Sequence, residues 1–118
     1  MASYSEILTQ KQLEDVFALS YQKPVLILKH STQCPISARA FRNFRNFCDA
    51  NPHDKLDTCL VKVVESKALS QVITKTLGIE HKSPQVILIR NGKVIWHASH
   101  YDINEDTIMN ALTKLNLV

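Results

Sequence analysis

The fold turns on the stretch Val25-Leu26-Ile27-Leu28-Lys29-His30-Ser31-Thr32-Gln33-Cys34-Pro35-Ile36-Ser37. Its first four residues form a short continuous apolar run, the pattern of a central strand buried on both faces. Its end opens a helix. At 100° per residue, Ile36, Ala40, Phe41, Phe44, Phe47 and Cys48 fall within an arc of roughly 140°. Arg39, Arg42, Asn43, Arg45 and Asn46 occupy the opposite side. Cys34 thus stands at a strand-to-helix corner, where a helix dipole and backbone N–H groups favour thiolate over thiol. Ser37 stands where a Cys-x-x-Cys pair would carry its second cysteine, so a redox site here has one thiol.

The flanking elements follow from caps and periodicity. Thr9-Gln10-Lys11-Gln12 fits a capping box, and Leu13, Val16 and Phe17 recur at helical spacing up to about Ser20. Pro24 closes the linker before the first long strand. Asn51-Pro52-His53-Asp54 is a turn cluster, and Thr58 to Val64 predicts a second strand. Ser66 is placed to cap a third helix with Leu69, Val72, Ile73 and Leu77 inward and Gly78 as its stop. Gln85 to Ile89 and Val94 to Ala98 flank Arg90-Asn91-Gly92-Lys93, and Asn-Gly is a strong hairpin signal. Asn104 caps the last helix, with Glu105 and Asp106 in its first turn, an Ile103–Ile108 staple, and Ile108, Leu112 and Leu115 as its inner stripe. The order is αβαβαββα. Helical crossovers imply parallel pairing of the early strands, and the last two form an antiparallel hairpin. The expected fold is a thioredoxin-like three-layer α/β/α sandwich with a mixed central sheet, as one domain over residues 1–118.

Composition narrows the function. With 118 residues, 45% hydrophobic and 21% charged, the chain reads as soluble and globular. It has neither a membrane-length apolar run nor a basic, apolar leader, so neither a membrane nor a signal peptide is expected and the cytoplasm is the expected compartment. Three cysteines and five scattered histidines give no zinc spacing, and no metal or bound cofactor is expected. A formal charge of +3, spread along the chain, gives no basis for nucleic-acid binding.

Lys29-His30-Ser31-Thr32-Gln33-Cys34-Pro35-Ile36-Ser37, Ser83-Pro84-Gln85-Val86 and the Asn91-Gly92 hairpin together resemble the monothiol bacilliredoxin family, small thioredoxin-like proteins with a Thr-x-Cys-Pro-Ile-Ser active segment. The similarity spans nearly the whole chain. It implies a thiol-disulfide oxidoreductase of cell redox homeostasis that removes bacillithiol from S-bacillithiolated proteins. Bacillithiol would be the co-substrate, and bacillithiol itself or a bacillithiol-disulfide reductase system the partner. It also implies a cis Pro84 lying against the active cysteine. Two departures from ordinary thioredoxin speak against a dithiol cycle: Ser37 replaces the resolving cysteine, and Leu28 stands where thioredoxin keeps a buried aspartate.

Cys34 is therefore the expected nucleophile. Ser37 is read either as a hydrogen-bond donor to its sulfur or as helix packing. Thr32 and Gln33 shape the pocket rim or are ordinary loop residues, and Pro35 is a supporting residue of the site. The backbone of Ser83 beside Pro84 is expected to pair with the bound thiol. Arg39, Arg42 and Arg45 either attract the malate carboxylates of bacillithiol or form a solvated helix face. Cys48 and Cys59 read as core residues. The competing reading is a non-catalytic thioredoxin-like module that binds peptides or traps partners at Cys34. A further one makes Cys48 or Cys59 a slow second thiol.

Overall fold

Six consecutive buried residues, Val25–His30, form the middle strand of the sheet in the computed structural model, which describes residues 4–50 and 55–117. The 51–54 turn cluster lies outside the described residues. The strands are β1 (Ser5–Glu6), β2 (Val25–His30), β3 (Asp57–Lys62), β4 (Gln85–Arg90) and β5 (Lys93–Ser99). The helices are α1 (Gln10–Leu19), α2 (Pro35–Ala50), α3 (Lys67–Leu77) and α4 (Glu105–Lys114), with a 3-10 turn at His100–Asp102. The sheet order is β1-β3-β2-β4-β5. β1, β3 and β2 run parallel, and β4 and β5 add antiparallel. This is the thioredoxin-like α/β fold.

Alternation along the strands builds two cores. Leu26, Leu28, Leu60, Val86 and Leu88 face α2 and α4, meeting Phe44, Phe47, Ile108 and Leu112. Val25, Ile27, Cys59, Val61, Ile87 and Ile89 face α1 and α3, meeting Leu13, Val16 and Ile73. A period of two sends neighbouring side chains to opposite sides, so an apolar run fills both layers.

The caps form as the residues dictate. Thr9 and Gln12 close a reciprocal box on α1, and Asn104 and Thr107 do so on α4. Gly78 ends α3 at φ 64°, a left-handed conformation. Asn91 (φ 55°) and Gly92 (φ 73°) turn the β4–β5 hairpin. That turn is clamped to α1: the Asn91 N–H donates to the Ser20 carbonyl at 2.7 Å, and the Gly92 N–H donates to Ser20 Oγ at 3.0 Å.

Several boundaries differ from the sequence reading. β2 continues two residues past Leu28, because Lys29 and His30 are buried and bonded. β3 ends at Lys62, two residues before Val64, where the chain turns through a Ser66 N–H to Lys62 carbonyl bond of 2.8 Å. Ser66 precedes α3 without a side-chain cap bond. Leu115 lies past the end of α4 and is exposed, and Leu117 takes the core position. β1, too short to show periodicity, adds an edge strand beside β3, and the Ile7 N–H extends it to the Leu60 carbonyl at 2.8 Å.

Ser20 is fully buried, and its hydroxyl donates to the Phe17 carbonyl at 2.6 Å while accepting from Gly92. Ser20→Ala strands a hairpin N–H and is expected to cost about 1–3 kcal/mol in urea unfolding. An unchanged midpoint would show that the clamp contributes nothing.

Candidate functional site

The site begins where β2 ends. Its last two side chains, Lys29 and His30, point to opposite sides of the sheet, and each is buried. On the α2 side, His30 Nδ1 lies 2.8 Å from Ser37 Oγ, and its ring lies 4.7 Å from that of Phe41. Ser37 Oγ also accepts the Ser31 N–H at 2.8 Å. Ser37 Oγ thus joins the Ser31 N–H and His30 Nδ1, its hydroxyl donating to Nδ1 in one tautomer of the neutral ring and accepting from it in the other. Burial, seconded by the Lys62 charge, pushes the His30 pKa down and favours this neutral form.

The loop from β2 to α2 is folded tightly on itself. The Cys34 N–H donates to the Ser31 carbonyl at 3.4 Å, and the Gln33 N–H donates to Ser31 Oγ at 3.4 Å. The Thr32 hydroxyl donates to the Glu65 carboxylate at 2.9 Å, tying the loop to the turn after β3. This bond, first among several causes, holds the Glu65 carboxyl below its ordinary pKa. Cys34 sits immediately before α2 and is half-buried, and its carbonyl accepts the Ala38 N–H at 3.0 Å. Pro35 follows at the first helical position, where a missing N–H costs nothing.

Ser37 is not bonded to Cys34. Its oxygen is committed to Ser31 and His30, so its role is to hold the loop. Pairing of Lys29 with Gln85 in the β2–β4 register brings Ser83 and Pro84 to the sheet end that carries the Cys34 loop. The Ser83–Pro84 peptide is cis, and the Pro84 carbonyl accepts the His100 N–H at 3.1 Å. Among the described residues, the buried Ser83 Oγ has no hydrogen-bond partner.

Lys29 is the residue that sequence reasoning missed. It is fully buried on the α3 side, donating to Thr74 Oγ1 at 2.6 Å and lying 3.1 Å from His81 Nδ1. Burial pushes its pKa down to about 8. The His81 pKa is also lowered, by burial and then by the Lys29 charge. A signal was present: Lys29 is two residues from Ile27, so on a longer strand it shares that inward face.

A family model describing monothiol bacilliredoxin BrxC matches residues 5–108. The chain belongs to the monothiol bacilliredoxin family. A solved structure described as a candidate oxidoreductase with a thioredoxin fold is 32% identical, with a TM-score of 0.79 over 92% of this chain and 93% of that one. Malassezia sympodialis thioredoxin (22% identity, TM-score 0.76, covering 97% and 91%) and Trypanosoma brucei brucei thioredoxin (13%, 0.73, 98% and 92%) share the fold.

In this bacilliredoxin the three thiols are sorted by depth. Cys48 is buried against α2's core and Cys59 on the other side of the sheet. Burial pushes the Cys48 thiol up to about 12 and the Cys59 thiol well above its ordinary value. Both shifts disfavour the thiolate. Among the described residues, no three of His, Cys, Asp and Glu gather as a metal site, and no helix is long and apolar enough to cross a membrane.

Ser37→Ala leaves the Ser31 N–H and His30 without their shared partner and is expected to cost about 1–3 kcal/mol, with faster amide exchange at Ser31. Unaltered exchange at Ser31 would contradict the holding role. Lys29 has a folded pKa below its unfolded value, so the unfolded chain binds the proton more tightly. Its burial penalty is therefore present in full below about pH 8 and fades as pH rises towards 10.5. Lys29→Met is expected to stabilise the protein by about 1–3 kcal/mol at pH 7 and to remove that rise. Parallel stability–pH curves for the two proteins would refute this.

Proposed function

We propose that this protein removes bacillithiol from mixed disulfides on oxidised proteins, with Cys34 as the nucleophile. The observation that carries the reading is the position of Cys34: in a bacilliredoxin chain, it is the one thiol that reaches solvent, held at the start of α2. Thiol-disulfide exchange requires an accessible thiolate, a disulfide and a leaving thiolate. Two buried thiols on opposite faces of the sheet offer no resolving partner.

The Cys34 thiolate attacks the bacillithiol sulfur of protein–S–S–bacillithiol. A Cys34–bacillithiol disulfide forms as the original S–S bond breaks, and the repaired protein leaves as thiolate and takes a proton from water. A second low-molecular-weight thiol, or a bacillithiol-disulfide reductase system, then attacks this disulfide and returns Cys34. Bacillithiol is the co-substrate, S-bacillithiolated proteins are the partners, and the cytoplasm is the compartment in this reading. The Ser83 backbone beside Pro84 pairs with the bound thiol in strand-like fashion. Thr32, Gln33 and Pro35 set the rim around the sulfur, and Ser37 fixes the loop.

The test is a bacillithiolated protein incubated with this chain and excess reduced bacillithiol. Many equivalents of released protein thiol per chain are expected, and Cys34→Ala is expected to show only the uncatalysed rate. Equal release by both would overturn the proposal, and release that stops at one equivalent would identify a trap rather than a catalyst. Intact mass after oxidised bacillithiol is expected to show one adduct, on Cys34.

A further inference from the structure

α3 lays Lys67, Gln71, Thr74 and Lys75 along one face, because spacings of three and four residues recur on one side of a helix. With Val63 and His81 they line a cavity of about 340 Å3 that contains no acidic residue. Behind Thr74 and His81 lies the ammonium of Lys29, fully buried. Among the described residues no carboxylate comes within ion-pair distance of it. Buried charge is costly without a counter-charge, and a concave surface of one sign concentrates ions of the other. The long stems of Lys67 and Lys75 let both ammonium groups swing onto one small ligand.

Val63, which lines the cavity, is tied by backbone bonds to the strand end from which the Cys34 loop leaves. The Val63 N–H donates to the His30 carbonyl at 2.9 Å, and the Cys34 N–H donates to the Ser31 carbonyl at 3.4 Å. With standard backbone dimensions, these bonds keep the α-carbons of Val63 and Cys34 within about 15 Å. The Thr32–Glu65 bond closes the same gap from the side. Two of the three α2 arginines already face rings: the Arg39 guanidinium lies 5.5 Å from the Tyr101 ring centroid, and that of Arg45 lies 5.3 Å from Phe41's.

We propose that this α3 cavity is a dicarboxylate site and that it takes the malate end of bacillithiol while the sulfur is exchanged at Cys34. The inference rests on the exchange reading above. Lys67 and Lys75 bind the two carboxylates, and Lys29 supplies the positive background behind them.

Two measurements on the full chain test it. In steady-state turnover of a small bacillithiol mixed disulfide, Lys67→Gln with Lys75→Gln is expected to raise KM five- to tenfold with kcat within twofold. Arg39→Gln with Arg42→Gln is expected to leave both unchanged. Malate titrated into the wild type and into Cys34→Ser is expected to shift the amide resonances of Lys67, Gln71, Lys75 and His81. An unchanged KM in the lysine pair, a KM rise confined to the arginine pair, or malate shifts away from α3 would overturn the site while leaving exchange at Cys34 standing. Malate shifts at α3 in a wild-type protein that releases no bacillithiol would overturn the exchange reading and, with it, the assignment of the malate to bacillithiol.

Discussion

The end of β2 is the constraint from which the site follows. A strand buried on both faces finishes with two polar side chains, one on each side of the sheet. A buried polar group without partners costs several kcal/mol, so the surroundings must supply them. On the α2 side the partner is Ser37, one turn into the helix. Bonding His30 and the Ser31 N–H through one oxygen draws the start of α2 against the end of β2. The intervening loop has little freedom left, and Cys34 is delivered at the helix start. Pro35 helps by accepting a helical position that needs no N–H.

On the α3 side the same constraint has a different outcome. Lys29 meets Thr74 and His81 rather than a carboxylate, so its charge is hydrogen-bonded but not neutralised. Burial therefore lowers its pKa, and a neutral imidazole is favoured beside it. The two faces of one strand end thus carry distinct chemistry: a neutral serine–histidine contact that shapes the loop, and a cationic pocket behind α3.

The fold sorts the cysteines by the same logic. Cys48 lies on the apolar arc of α2, and Cys59 lies inside β3, so packing buries both. A buried thiol resists ionisation because thiolate loses its hydration there. Cys34 escapes because it belongs to the loop, outside either layer.

Much of this was legible in the residues. The apolar run at Val25, the arc from Ile36 to Cys48, the capping residues Thr9 and Asn104, and Asn91-Gly92 each act locally, through steric and hydrogen-bonding rules that need no distant partner. They determined the element order and placed Cys34 at a corner. Boundaries were less legible where a distant contact decides them: β2 extends to His30 because α2 and α3 supply partners, and β1 exists only because β3 offers an edge. The role of Ser37 changed for that reason. Spacing puts it one helical turn from Cys34, but the packed structure sets its oxygen between the Ser31 N–H and His30 Nδ1. Lys29 was the least legible. In sequence a lysine after an apolar run reads as the exposed end of a strand. Only tertiary packing decides that it is buried, because its partners come from α3 and from the segment before Pro84, 45 and 52 residues away.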